Sequence, residues 1–227
     1  MFLLGLTAVT GMVDAVSILS LGRVFVANMT GNVVFIGFAL AGAPGFSLRA
    51  SVVALVAFLA GAAVGGGAAR RLGADRAVLL AAGAASELVL LAIAALAAAF
   101  AGEPFGDAIG NGLAGLCALA MGIQNAVARQ LAVPDLTTTV LTMTLTGMAA
   151  DVDSASRRRS LPRRLLAVMT MLVGAFAGAE LVLHVSAAAA LGVLVALLAA
   201  LATCAAIATR RAGDWRSGTA PSHPGRS

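Results

Sequence analysis

Eight long apolar segments fill most of this chain of 227 residues. Hydrocarbon offers no hydrogen bonds to a peptide backbone, so segments of this length must form membrane helices or broken pieces shielded by protein. The sequence therefore predicts an all-α, polytopic transmembrane helical bundle. The segments are residues 2–21, 24–43, 50–69, 77–100, 108–127, 136–150, 165–183 and 186–208.

The composition supports a membrane protein and argues against a nucleic-acid partner. Hydrophobic residues make up 60% of the chain and charged residues 11%, with a mean hydropathy of +1.00. All fifteen basic residues are arginine, and most are expected in short loops between apolar segments, where they report topology rather than a basic binding face. The partner that this composition indicates is the lipid bilayer. Cys117 and Cys204 both lie inside apolar segments, which predicts neither a disulfide, nor a metal site, nor a cofactor.

The two ends of the chain are expected to differ. The N-terminus lacks a basic region and a small-residue cleavage site, and Asp14 interrupts its apolar run, so we expect a retained first helix. Residues 210–227 are polar and rich in Gly, Pro and Ser, which predicts a disordered cytoplasmic tail. Residues 1–209 then form a single transmembrane domain.

The two halves of the chain resemble each other. The motif TGMVDAV at residues 10–16 matches MGIQNAV at residues 121–127, 111 residues later. The motif LAGAAVG at residues 59–65 matches LVGAFAG at residues 172–178, 113 residues later. Chance matches between Ala-rich helices would not be expected to share nearly the same offset, so we interpret the chain as an internal duplication.

Three arginine clusters decide how the halves are oriented, because arginine favours the cytoplasmic side. Eight full crossings would put the first and last clusters on opposite sides. If segments one and two make one net crossing, and five and six do likewise, about six net crossings place every cluster and the C-terminus in the cytoplasm. The half-repeats, about 1–100 and 108–209, are then inverted, three crossings each. A seven-span variant satisfies the charges but breaks the symmetry. The clusters are Arg70, Arg71 and Arg76; Arg157, Arg158, Arg159, Arg163 and Arg164; and Arg210, Arg211, Arg216 and Arg226.

Polar residues coincide with the segments that this topology requires to be broken or re-entrant. In VANMTGNVVFIG, we expect Gly31 to open the helix so that Asn28, Thr30 and Asn32 face a protein-lined cavity. In segment six, Thr138 and Thr142 begin a stripe of hydroxyls at four-residue spacing; these hydroxyls line a substrate site or bond back to their own helix.

Ionisable and amide side chains inside other segments are further candidates. A charged Asp at a helix centre costs about 2.5 to 3.5 kcal/mol, so Asp14 should face the interior, either as a proton or cation site or as a hydrogen-bonding partner of the broken segment. Its counterpart Asn125, together with Gln124, is expected to cross-link the two halves. Glu87, in the middle of segment four, is the second candidate for a proton site.

These motifs also carry a resemblance. The runs LTAVTGMVDAVSIL, VFVANMTGNVVFIG and ALAMGIQNAVARQL, in this order, resemble the YoaK-like family of bacterial membrane proteins (DUF1275, UPF0700). The resemblance covers nearly the whole chain and implies a protein of the bacterial inner membrane with about six helices and no established activity. One departure concerns segment six, where Met143 stands at the family's usual Gly and the nearest Thr-Gly pair is Thr146 with Gly147.

The expected function is a secondary transporter or channel for a small solute or ion, because inverted repeats with polar breaks suit alternating access. A membrane scaffold or lipid-interacting accessory protein is the alternative. An intramembrane enzyme is less expected, because the chain has only two histidines, His184 and His223, and no evident metal cluster. Assembly into a homo-oligomer is compatible with either function.

Overall fold

A computed structural model of the chain describes residues 2–72, 75–131 and 155–211. Within these ranges the chain forms seven α-helices, which confirms the all-α transmembrane bundle. The helices are α1 (Phe2–Ser20), α2 (Met29–Leu40), α3 (Leu48–Leu72), α4 (Arg76–Ala101), α5 (Asp107–Gln130), α6 (Ala155–His184) and α7 (Ala187–Arg211).

The helix lengths separate full spans from the broken region. Helices α3 to α7 each contain a stretch long and apolar enough to cross a membrane. Helix α2 has only 12 residues, about 18 Å at 1.5 Å per residue, and cannot cross about 30 Å of hydrocarbon alone. Residues 21–28, which precede it, are not helical. The predicted break in segment two is therefore present, whereas segment six, residues 136–150, lies outside the described residues.

Two helices extend beyond the predicted apolar segments. Helix α6 begins at Ala155, ten residues before segment seven, and α7 continues through Arg211. Arginines that the sequence placed in loops or in the tail therefore lie on helix ends, as do Arg70 and Arg71 in the last turn of α3. Arginine is a good helix former, and its long side chain reaches water from a helix end, so nothing requires the helix to stop at the last apolar residue.

Helices α3 and α5 cross closely and run parallel. A Cβ on Gly61 would collide with the Leu119 carbonyl oxygen, and one on Gly65 would lie 2.9 Å from the Ile123 carbonyl oxygen. The contacts therefore advance along both helices together. Gly122, on the α5 side, allows the same close approach to the Phe58 carbonyl oxygen. Small residues at such crossings let membrane helices approach backbone to backbone.

Helices α1 and α6 cross in the same way. A Cβ on Gly174 would collide with the Ala8 carbonyl oxygen, and one on Gly178 would lie 2.8 Å from the Met12 carbonyl oxygen. On the α1 side, Gly11 allows the approach to the backbone of Met171. This pair of helices also runs parallel.

The remaining contacts are antiparallel. Short turns join α3 to α4, α4 to α5 and α6 to α7, so each of these helices reverses direction relative to the one before it. The Arg76 guanidinium at the start of α4 donates to the Leu131 carbonyl oxygen just after α5 (2.5 Å). At the other end of α4, the Glu103 carboxylate accepts a hydrogen bond from the Ala188 backbone N–H in the first turn of α7 (3.1 Å).

Helix α5 is the central element of the bundle. In its most apolar stretch 61% of the residues are buried, against 17 to 33% for the other four spanning helices. The outward faces of those helices carry large apolar side chains such as Phe100, Phe176 and Leu59. In water such faces would be interaction patches, but in a bilayer they are the ordinary contact with lipid.

Candidate functional site

The elbow, residues 21–28 between α1 and α2, is a piece of irregular backbone inside an apolar region. It turns at Gly22 (φ +94°) and at Arg23 (φ +58°), two residues in the left-handed conformation. Its buried positions include Val24, Val26 and Ala27. Their backbone N–H and C=O groups need partners from the protein, since lipid supplies none.

Asp14 supplies two of these partners. Its Oδ1 atom accepts hydrogen bonds from the backbone N–H groups of Val26 and Ala27, both at 3.0 Å. The carboxylate thus holds the elbow against α1 from a buried position. Its second oxygen, Oδ2, has no partner among the described residues. Asp14 therefore combines a structural role with one oxygen available to a proton or a ligand.

Two other side chains hydrogen-bond to further backbone groups of the elbow. The Ser17 hydroxyl donates to the Val24 carbonyl oxygen at 2.8 Å. The Asn32 carboxamide brackets Phe25, because Nδ2 donates to the Phe25 carbonyl oxygen (2.6 Å) and Oδ1 accepts from the Phe25 N–H (2.9 Å). Asn32 is fully buried and so fixes the start of α2 against the elbow.

The structure divides the polar stretch that the sequence treated as one site. Asn32 points inward, whereas Asn28 and Thr30 are exposed. Asn28 occupies the N-cap position of α2 but makes no capping hydrogen bond with its side chain. The prediction that Gly31 opens the helix is wrong. It lies within the first turn of α2, where a Cβ would come within 2.6 Å of the Phe25 ring, so it is needed for packing.

A second polar group lies between α1, α4 and α5. The Thr10 hydroxyl lies 3.5 Å from Gln124 Oε1. This contact joins the first half of the chain to the second, as predicted for Gln124. Gln124 and Glu87 line one small cavity of about 10 Å³, room for one water molecule. Among the described residues, neither Glu87 Oε1 nor Gln124 Nε2 has a hydrogen-bond partner. An acceptor and a donor without partners therefore border the same cavity.

The other predicted site residues lie elsewhere. The Asn125 carboxamide donates to the Met121 carbonyl oxygen of its own helix (2.9 Å), so the predicted cross-link between the halves is made by Gln124 rather than by Asn125. Asp14 does not line the cavity that holds Glu87, and the two carboxylates form separate sites. Thr138 and Thr142 lie outside the described residues.

Thr10 and Ser17 are buried residues of the candidate site that the sequence reasoning missed. They stand four residues before and three residues after Asp14, so all three share one face of α1. That spacing was the available signal, because a polar stripe on one face of an apolar helix indicates a partner within the protein.

The described residues do not bring together a metal centre. No group of three or more His, Cys, Asp or Glu side chains that could hold a metal ion occurs in residues 2–72, 75–131 and 155–211. Over the same ranges, Cys117 is buried and Cys204 exposed, both as free thiols. The arrangement can instead bind a proton or a water molecule through the unpartnered atoms described above.

Comparison with known proteins gives the chain's relatives. The family described as "Protein of unknown function (DUF1275)" matches residues 2–204. The UPF0700 transmembrane protein YoaK of Bacillus subtilis (strain 168) is 33% identical over 184 residues, which cover 76% of this chain and 78% of that protein. No solved structure matches the chain.

Proposed function

From the premise that the chain belongs to the DUF1275 family of membrane proteins, we propose that it is a secondary transporter or channel for a small solute or ion. In this proposal two inverted half-repeats form the moving parts, and Glu87 is the proton site. The observation that carries the proposal is the correspondence between the two glycine crossings.

The glycine crossings repeat residue by residue. Adding 111 to the α1 positions and subtracting 113 from the α6 positions converts the α1–α6 crossing into the α5–α3 crossing. The offsets are those of the sequence motifs, which were identified without any contact. Such agreement supports a duplicated unit, because unrelated helix pairs have no reason to cross at matching registers. The corresponding contacts are Gly174 to Ala8 with Gly61 to Leu119, Gly178 to Met12 with Gly65 to Ile123, and Gly11 to Met171 with Gly122 to Phe58.

The directions of the helices support the inversion. Helix α5 is parallel to α3, α7 is antiparallel to α4, and α6 is antiparallel to α7. Since α1 is parallel to α6, it runs opposite to its counterpart α5. Inverted repeats of this kind interconvert two states that open to opposite sides of a membrane, which is the basis of alternating access.

The buried polar atoms that have no hydrogen-bond partner among the described residues support the proposal. Asp14 Oδ2, Glu87 Oε1 and Gln124 Nε2 belong to helices of both halves. A buried carboxylate in a membrane segment is costly, and a carboxylate kept only for structure would be expected to have its oxygens satisfied. Asp14 partly meets that expectation through the elbow, whereas Glu87 does not. We therefore assign the proton to Glu87.

A scaffold or lipid-interacting accessory protein is the second candidate. It is favoured by the hydrogen bonds that Asp14 and Asn32 make to the elbow backbone, since these explain two buried polar residues without any ligand. It does not explain Glu87.

The inverted topology predicts opposite exposure of Ser47 and Ser160. In a background in which Cys117 and Cys204 are replaced by alanine, we expect Ser47→Cys to be labelled in intact cells by a membrane-impermeant maleimide. We expect Ser160→Cys to be protected until the cells are permeabilised, because it lies among the arginines at the start of α6. Equal labelling at both positions would contradict the inverted arrangement.

Transport itself is tested in proteoliposomes that contain a pH-sensitive dye. We expect a gradient of at least one solute, from a panel of inorganic anions, inorganic cations and amino acids, to drive a protein-dependent pH change. Glu87→Gln should reduce this change at least about tenfold, because the amide cannot exchange a proton. The matched control is Glu180→Gln, which makes the same change at an exposed carboxylate.

The outcomes separate the candidates. Solute uptake without a pH change would retain the transporter and remove the proton coupling, as would a Glu87→Gln variant with a full pH response. No uptake above protein-free liposomes for the whole panel would favour the scaffold.

A further inference from the structure

A large cavity opens between α3 and α5 at the ends of these helices that carry arginine. Its volume is about 650 Å³, in the range of sites that bind metabolites or lipid headgroups. Because α3 and α5 run parallel, Arg70 and Arg129, each in the last turn of its helix, lie at the same face of the bundle. Both line this cavity.

The charged and polar lining has one sign. Besides the two guanidinium groups, the carboxamides of Asn125 and Gln130 border the cavity, and none of the lining residues within the described ranges is a carboxylate. Arg70 folds back along its own helix, with a terminal nitrogen 4.0 Å from the position of a Cβ on Gly66, which also lines the cavity. The other terminal nitrogen of Arg70 lies 3.9 Å from the position of a Cβ on Gly67, which does not line the cavity, so the exposed guanidinium lies at the edge of the cavity.

The two arginines are available to a ligand. Among the described residues, neither Arg70 nor Arg129 forms an ion pair or a hydrogen bond, whereas Arg76 at the same face donates to the Leu131 carbonyl oxygen. The location of arginines at a cytoplasmic face and at helix C-termini is explained by the positive-inside rule and by the helix dipole. Neither effect explains why two guanidinium groups share a cavity of this size with two carboxamides.

The corresponding positions of the other crossing do not share this chemistry. By the same offsets, Arg129 matches Ile18 and Arg70 matches Leu183, both apolar. Asn125 matches Asp14, which is occupied by the elbow. The two arginines are thus particular to the α3–α5 crossing and are not part of what the two halves share.

We propose that this cavity is a binding site for a phosphate-type oxyanion, held by Arg70 and Arg129 with Asn125 and Gln130 as neutral donors. Planar guanidinium groups match the geometry of phosphate oxygens and form charge-assisted hydrogen bonds with them. The cavity extends along α3 from Arg70 to Phe58, about 18 Å at 1.5 Å per residue, so its basic mouth continues into an apolar interior. The oxyanion is a free anion or the headgroup of an anionic lipid. The site does not depend on the transport function.

The test measures binding to the purified full-length protein in detergent with two probes. Inorganic phosphate is titrated by calorimetry, and phosphatidylglycerol is compared with phosphatidylcholine by native mass spectrometry. We expect saturable binding of one phosphate or one phosphatidylglycerol per chain. Arg70→Gln and Arg129→Gln should each weaken it about tenfold or more, because each removes a charge-assisted contact. Arg71→Gln, the adjacent exposed arginine that does not line the cavity, should change the affinity less than about twofold.

The two probes distinguish the source of the oxyanion. Phosphate binding indicates a soluble anion, and selective retention of phosphatidylglycerol alone indicates a lipid headgroup. The proposal is overturned if neither probe binds saturably, or if Arg71→Gln weakens binding as much as Arg70→Gln does. Slow labelling of the buried thiol of Cys117 identifies variants that remain folded. If Arg129→Gln unfolds, Arg129→Lys replaces it, and it should still weaken binding because lysine lacks the planar fork.

Discussion

Replacing Asp14 by alanine is expected to lower the free energy of unfolding by about 2 to 6 kcal/mol, since it strands two buried backbone N–H groups at about 1 to 3 kcal/mol each. These are the groups of Val26 and Ala27, which donate to a single carboxylate oxygen. Asp14→Asn keeps an acceptor oxygen in place and should cost less. The elbow, and with it the start of α2, is the part of the fold that the alanine variant would release.

The measurement uses the buried thiol of Cys117 as the reporter. In a Cys204→Ala background, a thiol-reactive dye reports unfolding in detergent, because Cys117 is inaccessible in the folded protein. Asp107→Ala is the matched control, an exposed carboxylate in the first turn of α5, where the loss should be about 0.3 to 1 kcal/mol from the helix dipole. Equal losses for Asp14→Ala and Asp107→Ala would show that the elbow does not depend on Asp14.

Substitution of the crossing glycines is the second large effect. Gly61→Ala and Gly174→Ala should each destabilise the protein by about 1 to 3 kcal/mol, as expected for overpacking. In both variants the new methyl group collides with a carbonyl oxygen of the facing helix, which cannot move without shifting that helix. The two losses should be similar, because the positions correspond in the two halves.

Gly192→Ala is the control for helix propensity. This glycine lies in α7, and a Cβ there meets nothing within 4 Å, so alanine should be neutral or stabilising by up to about 1 kcal/mol. The Cys117 assay described for Asp14 measures all three variants. A large loss for Gly61→Ala together with none for Gly174→Ala would contradict the equivalence of the two crossings.

Several features of the fold could be predicted because they depend on local physics. Apolar segments in lipid must form helices. The second segment was predicted to be broken, and the structure has there a 12-residue α2 that follows an irregular elbow. The close approach at Gly61 and Gly174 was also predictable, because small residues spaced by four mark packing faces in membranes. The helical arginines were not predicted, since hydropathy marks the end of a membrane segment and not the end of a helix.

The candidate site was predictable only in part. The residues of the site could be chosen by the free-energy cost of placing an ionisable side chain in a membrane, which singles out Asp14 and Glu87. The hydrogen-bond partners of these residues could not be predicted, because each partner depends on which helices pack together. Asp14 bonds to backbone twelve and thirteen residues away, and no side-chain pattern specifies a backbone acceptor or donor at that distance. Gln124 and its neighbour Asn125 look equivalent in sequence, but Gln124 pairs with Thr10 of α1, whereas Asn125 bonds to its own helix.

The sequence by itself determined that this is a helical membrane protein with a broken second segment and with matching motifs in its two halves, whereas the position of the break, before α2 rather than at Gly31, came from the structure. Composition, hydropathy and spacing carry that information because each is a property of neighbouring residues. Only the tertiary structure decided that Asn32 turns inward while Thr30 faces out, that Glu87 shares a cavity with Gln124, and that Arg70 and Arg129 line one cavity. These are contacts between residues distant along the chain, and the register at which two helices cross decides them.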